Sequence, residues 1–385
     1  MFLVRLLVKN AFRHKLRTAL TILGMTIAIL AFGLLRTVIS AWYAGVEASS
    51  ASRLIVRNAI SLVFFLPISY KEKIRQVEGV ESVAQANWFG GIYIEEKNFF
   101  ANFAAEPETY LELFPEFVLP PEQKNAFLHD RKGAVAGRKL AEKFGWEIGD
   151  PITLKGTIFP GNWDFTLRGI YTGRDKSVDE AQFFFHWEYL NETMKKTIPR
   201  RADQAGFFIV GLKNPNLAAE VSAAIDAQFK NSLAETLTET EKAFQLGFIS
   251  MTEAIVVVIR LVSFIIIVII MAVVANTMAM TARERIGEYA ILKALGFGAP
   301  YLATLIFGES LFITSLGAAL GIAATFPAAK AFGNALGQFF PVFNVAPGTV
   351  YLDIAASVVV GLVAAVVPTL RAVRIRIADG LRRIG

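Results

Sequence analysis

The stretch TARERIGEYAILKALGFGAP, Thr281 to Pro300, decides how the rest of the chain is read. Glu284, Arg285 and Glu288 open a helix, and Ile286, Tyr289, Ala290, Ile291, Leu292 and Leu295 give it apolar faces. Gly296 is placed to end it in the left-handed conformation that glycine adopts without a Cβ penalty. Long apolar runs flank the helix, and Arg283, Arg285 and Lys293 between two membrane spans mark it as cytoplasmic. Such a helix is poorly suited to standing free in water, so the expectation is that a cytoplasmic partner grips it.

Composition sets the frame around it. With 385 residues, 54% of them hydrophobic and 19% charged, the chain reads as a polytopic membrane protein carrying one sizeable soluble part. Of the net charge of +6, Arg5, Lys9, Arg13, Lys15 and Arg17 supply +5 and the tail from Arg371 supplies +4, leaving −3 for everything between. The basic excess therefore sits where spans meet the cytoplasm, a topology signal and not a nucleic-acid footprint. The absence of cysteine excludes disulfides, Cys-ligated metals and thiol nucleophiles. The first apolar run, Thr18 to Trp42, is longer than the apolar region of a signal peptide and lacks a small-x-small cleavage site, so it reads as a retained anchor.

Outward from these anchors the chain divides as follows. Residues 1–17 interleave basic and apolar positions, as an amphipathic helix on the inner membrane surface does. A first span covers 18–43, with Arg36 close enough to its far end to snorkel outward. Residues 44–245 have ordinary mixed composition and form an extracytoplasmic α+β domain, a split α/β unit with a β-rich insert at about 131–198. Strands are expected around Arg53, Val80, Gly91, Asn98, Pro151, Phe165 and Phe207, and helices at Ser69 to Val77, Arg138 to Phe144 and Asn216 to Phe229. Residues 246–282 are a stalk plus the second span. From Phe244 to Met280 no helix breaker occurs over roughly 37 residues, about 55 Å against a hydrocarbon core of about 30 Å. The inner helix takes 283–299, the third span 300–326, an outer loop 327–350, the fourth span 351–371 and a cytoplasmic tail 372–385. Basic residues cluster on one side throughout, which places both termini inside.

No GxxxxGK[ST] occurs, nor GxSxG, nor HExxH, and His14, His129 and His186 lie in separate regions. No catalytic residue, metal site or cofactor of this chain's own is therefore expected. Gly24 with Ala28, and Gly317 with Gly321, make small-xxx-small faces suited to close packing of membrane helices. The intramembrane polar residues singled out are Asn276 and Glu309. Glu309 reads either as a proton or ion site or as one end of an interhelical hydrogen bond, and the second reading is favoured because neither a second intramembrane acid nor a basic partner is evident. The Phe-rich clusters, Phe183 to Phe185 among them, read as core strands or as an apolar substrate path.

One span, a large outer domain, then three spans around a short inner helix resembles the MacB/FtsX/LolC-type permeases of ABC transporters. KNAFRHKLRTALTILGMTIAI carries the resemblance through Asn10, Arg13, Arg17, Thr18 and Gly24. ARERIGEYAILKALGFG is similar to the family's coupling segment through Arg285, Ile286, Gly287, Leu292, Lys293, Ala294, Leu295 and Gly296, and Gly308-Glu309-Ser310 follows as expected. VPTLRAVRIRIADGLR matches the closing motif through Pro368, Arg371, Ala372, Leu381 and Arg382, with Ile377-Ala378 in place of the family's usual Asp-Pro. The resemblance implies a four-span α-helical permease of the bacterial cytoplasmic (inner) membrane that dimerises with a second copy or a paralogue. It also implies two copies of a separate ABC ATPase that hold the ATP and Mg, and in some members a periplasmic adaptor and an outer-membrane protein. Arg283, Glu284, Arg285, Ile286, Gly287, Glu288, Leu292, Lys293, Leu295 and Gly296 would then contact the ATPase. The expected function is mechanotransmission for export or extraction of a lipid, lipoprotein, peptide or drug. The rivals are an FtsX-like signalling permease that activates a cell-wall hydrolase without transport, and an ion-coupled carrier built on Glu309.

Overall fold

The computed structural model describes residues 11–336, 340 and 342–376. The first ten residues of the expected amphipathic helix, with Asn10, and the tail from 377, with Leu381 and Arg382, lie outside the described residues. The chain divides into a helical unit, Met1–Ala41, Glu253–Ala335 and Phe343–Gly385, and a sheet unit, Trp42–Thr252 and Leu336–Val342.

Helix α1 (Lys15–Ala48) runs into the sheet unit. There follow β1 (Arg53–Asn58), β2 (Leu66–Pro67), α2 (Tyr70–Arg75), β3 (Val80–Trp88), β4 (Gly91–Ile92), β5 (Asn102–Ala105), α3 (Pro107–Leu113), β6 (Phe117–Val118), α4 (Pro121–His129), β7 (Gly133–Gly137), α5 (Arg138–Phe144), β8 (Pro151–Gly156), β9 (Gly161–Gly173), β10 (Phe183–His186), α6 (Trp187–Thr197), β11 (Gln204–Ala205), β12 (Phe207–Leu212), α7 (Ala218–Gln228) and β13 (Thr236–Thr240). Helices α8 (Glu241–Ser250), α9 (Glu253–Glu284), α10 (Ile286–Ala294), α11 (Ala299–Leu336) and α12 (Pro347–Arg374) complete the described chain.

Among the described residues the main sheet has eleven strands, ordered β13-β1-β12-β3-β5-β10-β7-β9-β8-β4 with β6 on β9. The strands of the β-rich insert are built into this sheet. Strands β7 to β10 continue the same sheet through β10, which pairs parallel with β5 and antiparallel with β7, and β4 closes the far end on β8. The Phe183 to Phe185 run explains the continuity, because a central strand covered on both faces needs apolar side chains at successive positions. Phe184 packs towards Tyr110, Phe127 and Tyr171, while Phe183 and Phe185 pack in the other cluster with Phe89 and Phe165. On the other half of the sheet Leu54, Val56, Phe208 and Val210 pack against Ile74 of α2 and Val221 and Ile225 of α7, the helix whose apolar residues recur every four positions. Pro121, read from sequence as a turn, instead begins α4, and Pro107 likewise begins α3; both occupy the first helical turn, where a missing N–H costs nothing.

Four helices among the described residues are long and apolar enough to cross a membrane: α1, α9, α11 and α12. Three sequence expectations about them change. The continuous helix from Phe244 to Met280 is broken at Met251–Thr252 into α8 and α9. Thr252 Oγ1 donates to Ile249 O at 3.0 Å, a local bond that competes with helix continuation. Helix α11 passes the expected end at Phe326 and runs through Pro327 to Leu336, because an alanine-rich stretch around Lys330 absorbs the loss of one backbone bond. Helix α12 begins at Pro347 rather than Tyr351, so the loop expected over 327–350 shrinks to the residues between these two helices.

The two small-residue faces behave differently. A Cβ on Gly317 would lie 2.6 Å from Met25 Cβ and 3.0 Å from Ile22 O, and one on Gly321 would lie 2.8 Å from Ile29 Cβ and 2.9 Å from Thr26 O. Helices α1 and α11 thus touch backbone to backbone at these glycines. On the opposing face Ala28 is buried, but a Cβ on Gly24 would meet only Ile270 Cδ1 of α9 at 3.5 Å, an ordinary contact. Gly317→Val should therefore destabilise the bundle by about 1–3 kcal/mol through overpacking. Gly24→Ala should be tolerated. Melting midpoints of the two variants in nanodiscs check this, and equal midpoints would refute it.

Candidate functional site

Helix α9 does not end where the charged sequence begins: Thr281 to Glu284 are its last turn, and the chain kinks at Arg285, which has φ −100° and ψ 13°. The side chain of Arg285 explains the kink. It is 8% exposed, its Nη1 donates to Glu309 Oε2 of α11 at 2.8 Å, and its Nε donates to Glu288 Oε2 of α10 at 3.0 Å. Helix α10 then runs nine residues and stops at Gly296, φ 90°, where Gly296 N donates to Lys293 O and Phe297 N to Leu292 O, both at 3.0 Å. That pair of bonds is the glycine-ended motif the sequence suggested.

Around Arg285 a belt of opposite charges fastens α10 to its neighbours. Arg17 of α1 grips Glu284 with both terminal nitrogens at 2.8 Å, His14 Nε2 lies 3.4 Å from the same carboxylate, and Arg13 bonds Glu288. Lys293 Nζ donates to Val373 O at 2.6 Å and Ile375 O at 2.9 Å, carbonyls at the end of α12 that have no intrahelical donor. Between these polar ties Tyr289 is buried in the bundle core with Ala11, Leu302, Ile306 and Ala372, and Ala290 next to it is also fully buried. Burial works against the Arg285 charge, but Tyr289, Glu309 and Glu288 together outweigh it and hold the guanidinium above its ordinary range. Burial would likewise raise Glu288, yet the bonds from Arg13 and Arg285 keep it below the usual carboxylate range. Burial pushes the Tyr289 phenol up to about 12.

The geometry sorts the residues expected to meet a partner. Arg285 is enclosed by the bundle and is not open to one; Ile286, Gly287, Glu288, Leu292 and Lys293 are half-buried. Arg283, Glu284, Leu295 and Gly296 are exposed. Two apolar residues that sequence reasoning left out of the contact set, Ile291 and Phe297, are exposed beside Leu295, which is itself 70% exposed. Their spacing beyond the buried Tyr289 and Ala290 was the available signal, since an apolar residue on the far side of a docked helix cannot serve the core. Asn276 is exposed on α9. Glu309 corrects the sequence reading twice: its basic partner exists, Arg285, and it is not the bundle's only buried acid, because Asp353 in α12 is fully buried.

A second cluster of charge lies in the sheet unit, where the chain enters and leaves it. Arg53 at the start of β1 is 4% exposed, and every donor of its guanidinium is engaged: Nε with Glu241 Oε2 at 2.7 Å, Nη1 with Leu113 O at 2.7 Å and Glu116 Oε2 at 3.1 Å, Nη2 with Glu116 Oε1 at 2.6 Å and Glu241 Oε1 at 3.2 Å. Glu241 opens α8 and also accepts Ser50 N at 2.8 Å. Burial lowers the Arg53 pKa, but the bonds to Glu116 and Glu241 more than offset it. β1 and β13 lie side by side, Leu54 opposite Thr240, so the entering and leaving segments are fastened by backbone ladder and by ion pair.

Comparison with known proteins fits both halves. Residues 18–228, more than half of the chain, match the MacB-like periplasmic core domain family, and residues 260–377 match the FtsX-like permease C-terminal family. The chain belongs to the MacB/FtsX-type permeases of ABC transporters. Among its relatives, an uncharacterized ABC transporter permease protein of Mycobacterium tuberculosis is 26% identical over 208 residues, which are 51% of this chain and 22% of that much longer protein. The periplasmic region of MacB from Actinobacillus actinomycetemcomitans aligns at 10% identity and a TM-score of 0.36, over 53% of this chain and 95% of that one. The extracellular domain of the noncanonic ABC-type transporter YknZ from Gram-positive bacteria aligns at 10% identity and a TM-score of 0.34, over 49% and 100%. The permease is thus a membrane protein with an extracytoplasmic α+β domain, and its α10 joint lies wholly within the FtsX-like region.

Proposed function

We propose that this permease passes the work of a separate ATPase to its extracytoplasmic domain, for export or extraction of a lipid, lipoprotein, peptide or drug. The observation that carries the reading is α10: a short helix that, with the turn before it, is tied by ion pairs to the start of α1 and to α11 and by the Lys293 hydrogen bonds to the end of α12, with Ile291, Leu295 and Phe297 left uncovered at its free end. A patch so placed takes an apolar groove on a partner, and the belt passes any push on it to three membrane helices at once. In this reading ATP and Mg sit on two copies of the ATPase, both termini and α10 are cytoplasmic, and two permease copies pair, with the exposed Asn276 face of α9 available to the second. The outer part of α9, with Glu253 and Arg260, acts as a stalk. An adaptor and an outer-membrane protein would extend the path.

Leu295→Asp tests this directly, because a charge there meets nothing in the bundle but would be forced into the partner's groove. The expected result is loss of ATPase co-purification and at least a tenfold fall in membrane ATP turnover, with the melting midpoint unchanged. Retained co-purification and turnover would sink the reading. Recovery of a cell-wall hydrolase on the outer domain, with normal ATP turnover and no exported substrate, would instead favour signalling.

A further inference from the structure

Asp353 lies in the second turn of α12, is fully buried, and neither of its carboxylate oxygens has a hydrogen-bond partner. Gly33 of α1 faces it: a Cβ at that position would lie 3.0 Å from Asp353 Oδ2 and 3.0 Å from Thr325 Oγ1 of α11. The hydroxyls of the neighbourhood offer the acid nothing. Thr325 Oγ1 donates to Gly321 O at 2.9 Å, Thr37 Oγ1 to Gly33 O at 2.7 Å, and Ser357 Oγ to Ile354 O at 2.9 Å. Each hydroxyl has one proton, and each proton is committed to its own helix.

The cation that could answer Asp353 sits three residues beyond Gly33. Arg36 Nε is buried without a hydrogen-bond partner, and the side chain makes no ion pair within the described residues. Positions three apart on a helix have Cβ atoms about 5–6 Å from one another, so Arg36 springs from the same part of α1 that meets Asp353. The residue is half-buried, so a side chain reaching towards the outer surface still carries an Nε that is buried and unpaired. The contrast with Glu309 is informative: that acid has its arginine in place, whereas here the buried acid has no partner and the half-buried arginine on the facing helix has an unpaired Nε. An unpaired buried carboxylate is costly, and a cation brought to it removes much of the cost.

We propose that Arg36 and Asp353 are the two halves of an ion-pair latch between the first and fourth membrane helices, open in this arrangement and closed in another. The latch rests on the permease reading for its use in a transport cycle but not for its existence. A small slide or turn of α1 along α12 brings the guanidinium to the carboxylate, because Gly33 leaves no side chain between them.

A charge-reversal cycle on the full chain in nanodiscs, without any ATPase, decides whether the pair forms. Arg36→Asp and Asp353→Arg should each lower the melting midpoint by several degrees, and the double reversal should regain at least half of the summed loss. Losses that simply add would overturn the latch. Should the reversals fail to insert, Arg36→Gln, Asp353→Asn and their double ask the same question: a non-additive double supports the pair, and an additive one overturns it. ATP turnover with the ATPase then tests its use. Impaired single reversals and a recovered double place the latch in the cycle, while turnover indifferent to all three removes it. If the wild-type complex turns over no ATP, the permease reading falls, and the stability cycle alone still judges the pair.

Discussion

Arg285→Ala is expected to cost this permease about 3–5 kcal/mol, some two to three and a half decades in its folding equilibrium, because it strands the buried Glu309 carboxylate inside a membrane helix. The loss should not be confined to stability. Arg285 is where α9 stops and α10 begins, and its fork reaches both Glu288 of α10 and Glu309 of α11. Arg285→Lys keeps the charge but offers a single point donor, so it should hold one acid at a time and fall between wild type and alanine. The informative variant is the double, Arg285→Leu with Glu309→Leu. Replacing a buried pair by apolar residues is often neutral or stabilising, so the double should regain most of the melting midpoint. It should not regain coupled ATP turnover, since the rigid tie from α10 to α11 is gone. A double as unstable as the alanine variant would show that the pair is not what holds the joint, and a double with full turnover would show that the tie transmits nothing.

How much of this the sequence makes legible follows from which physics each feature obeys. The four spans, the α10 segment with its glycine stop, and the alternation of mixed and apolar regions depend on local periodicity and composition, and they were readable. The ends of α9, α11 and α12 were not, because each was decided by one local choice: Thr252 bonding its own turn, alanines carrying Pro327, Pro347 taking a first helical position. That the strands of the insert join the main sheet is not legible, because strand partners are non-local; nothing near Phe183 says that β10 will sit parallel to Asn102 to Ala105. The same holds for charge. The sequence marks Arg285 as a partner contact and Glu309 as one end of an interhelical hydrogen bond without naming the other end; only their 2.8 Å contact shows that each explains the other. Arg53 carried no signal at all, since an arginine opening a strand normally points to water.

Arg53→Met should have an effect of similar size for a different reason. The substitution preserves much of the side chain's volume, so the cost comes not from a cavity but from Glu116 and Glu241, whose side chains are 15% and 12% exposed and would lose their common cation. Removing one partner of such a buried cluster costs about 3–5 kcal/mol. Because Glu241 also holds Ser50 N at the end of α1 and opens α8, the damage should be local before it is global. Hydrogen exchange on the full chain should show faster exchange in β1, β13 and the first turn of α8, with β7 to β10 near wild type. Arg53→Met combined with Glu241→Gln should recover part of the loss by removing one stranded charge. Exchange raised evenly over the whole sheet would contradict a localised fastening. On the proposed function, the segments that enter and leave the sheet at adjacent strands bound by one guanidinium would carry motion to one edge of the domain. With Arg53 gone, the two segments can move apart, and ATP hydrolysis should continue while work on the domain falls.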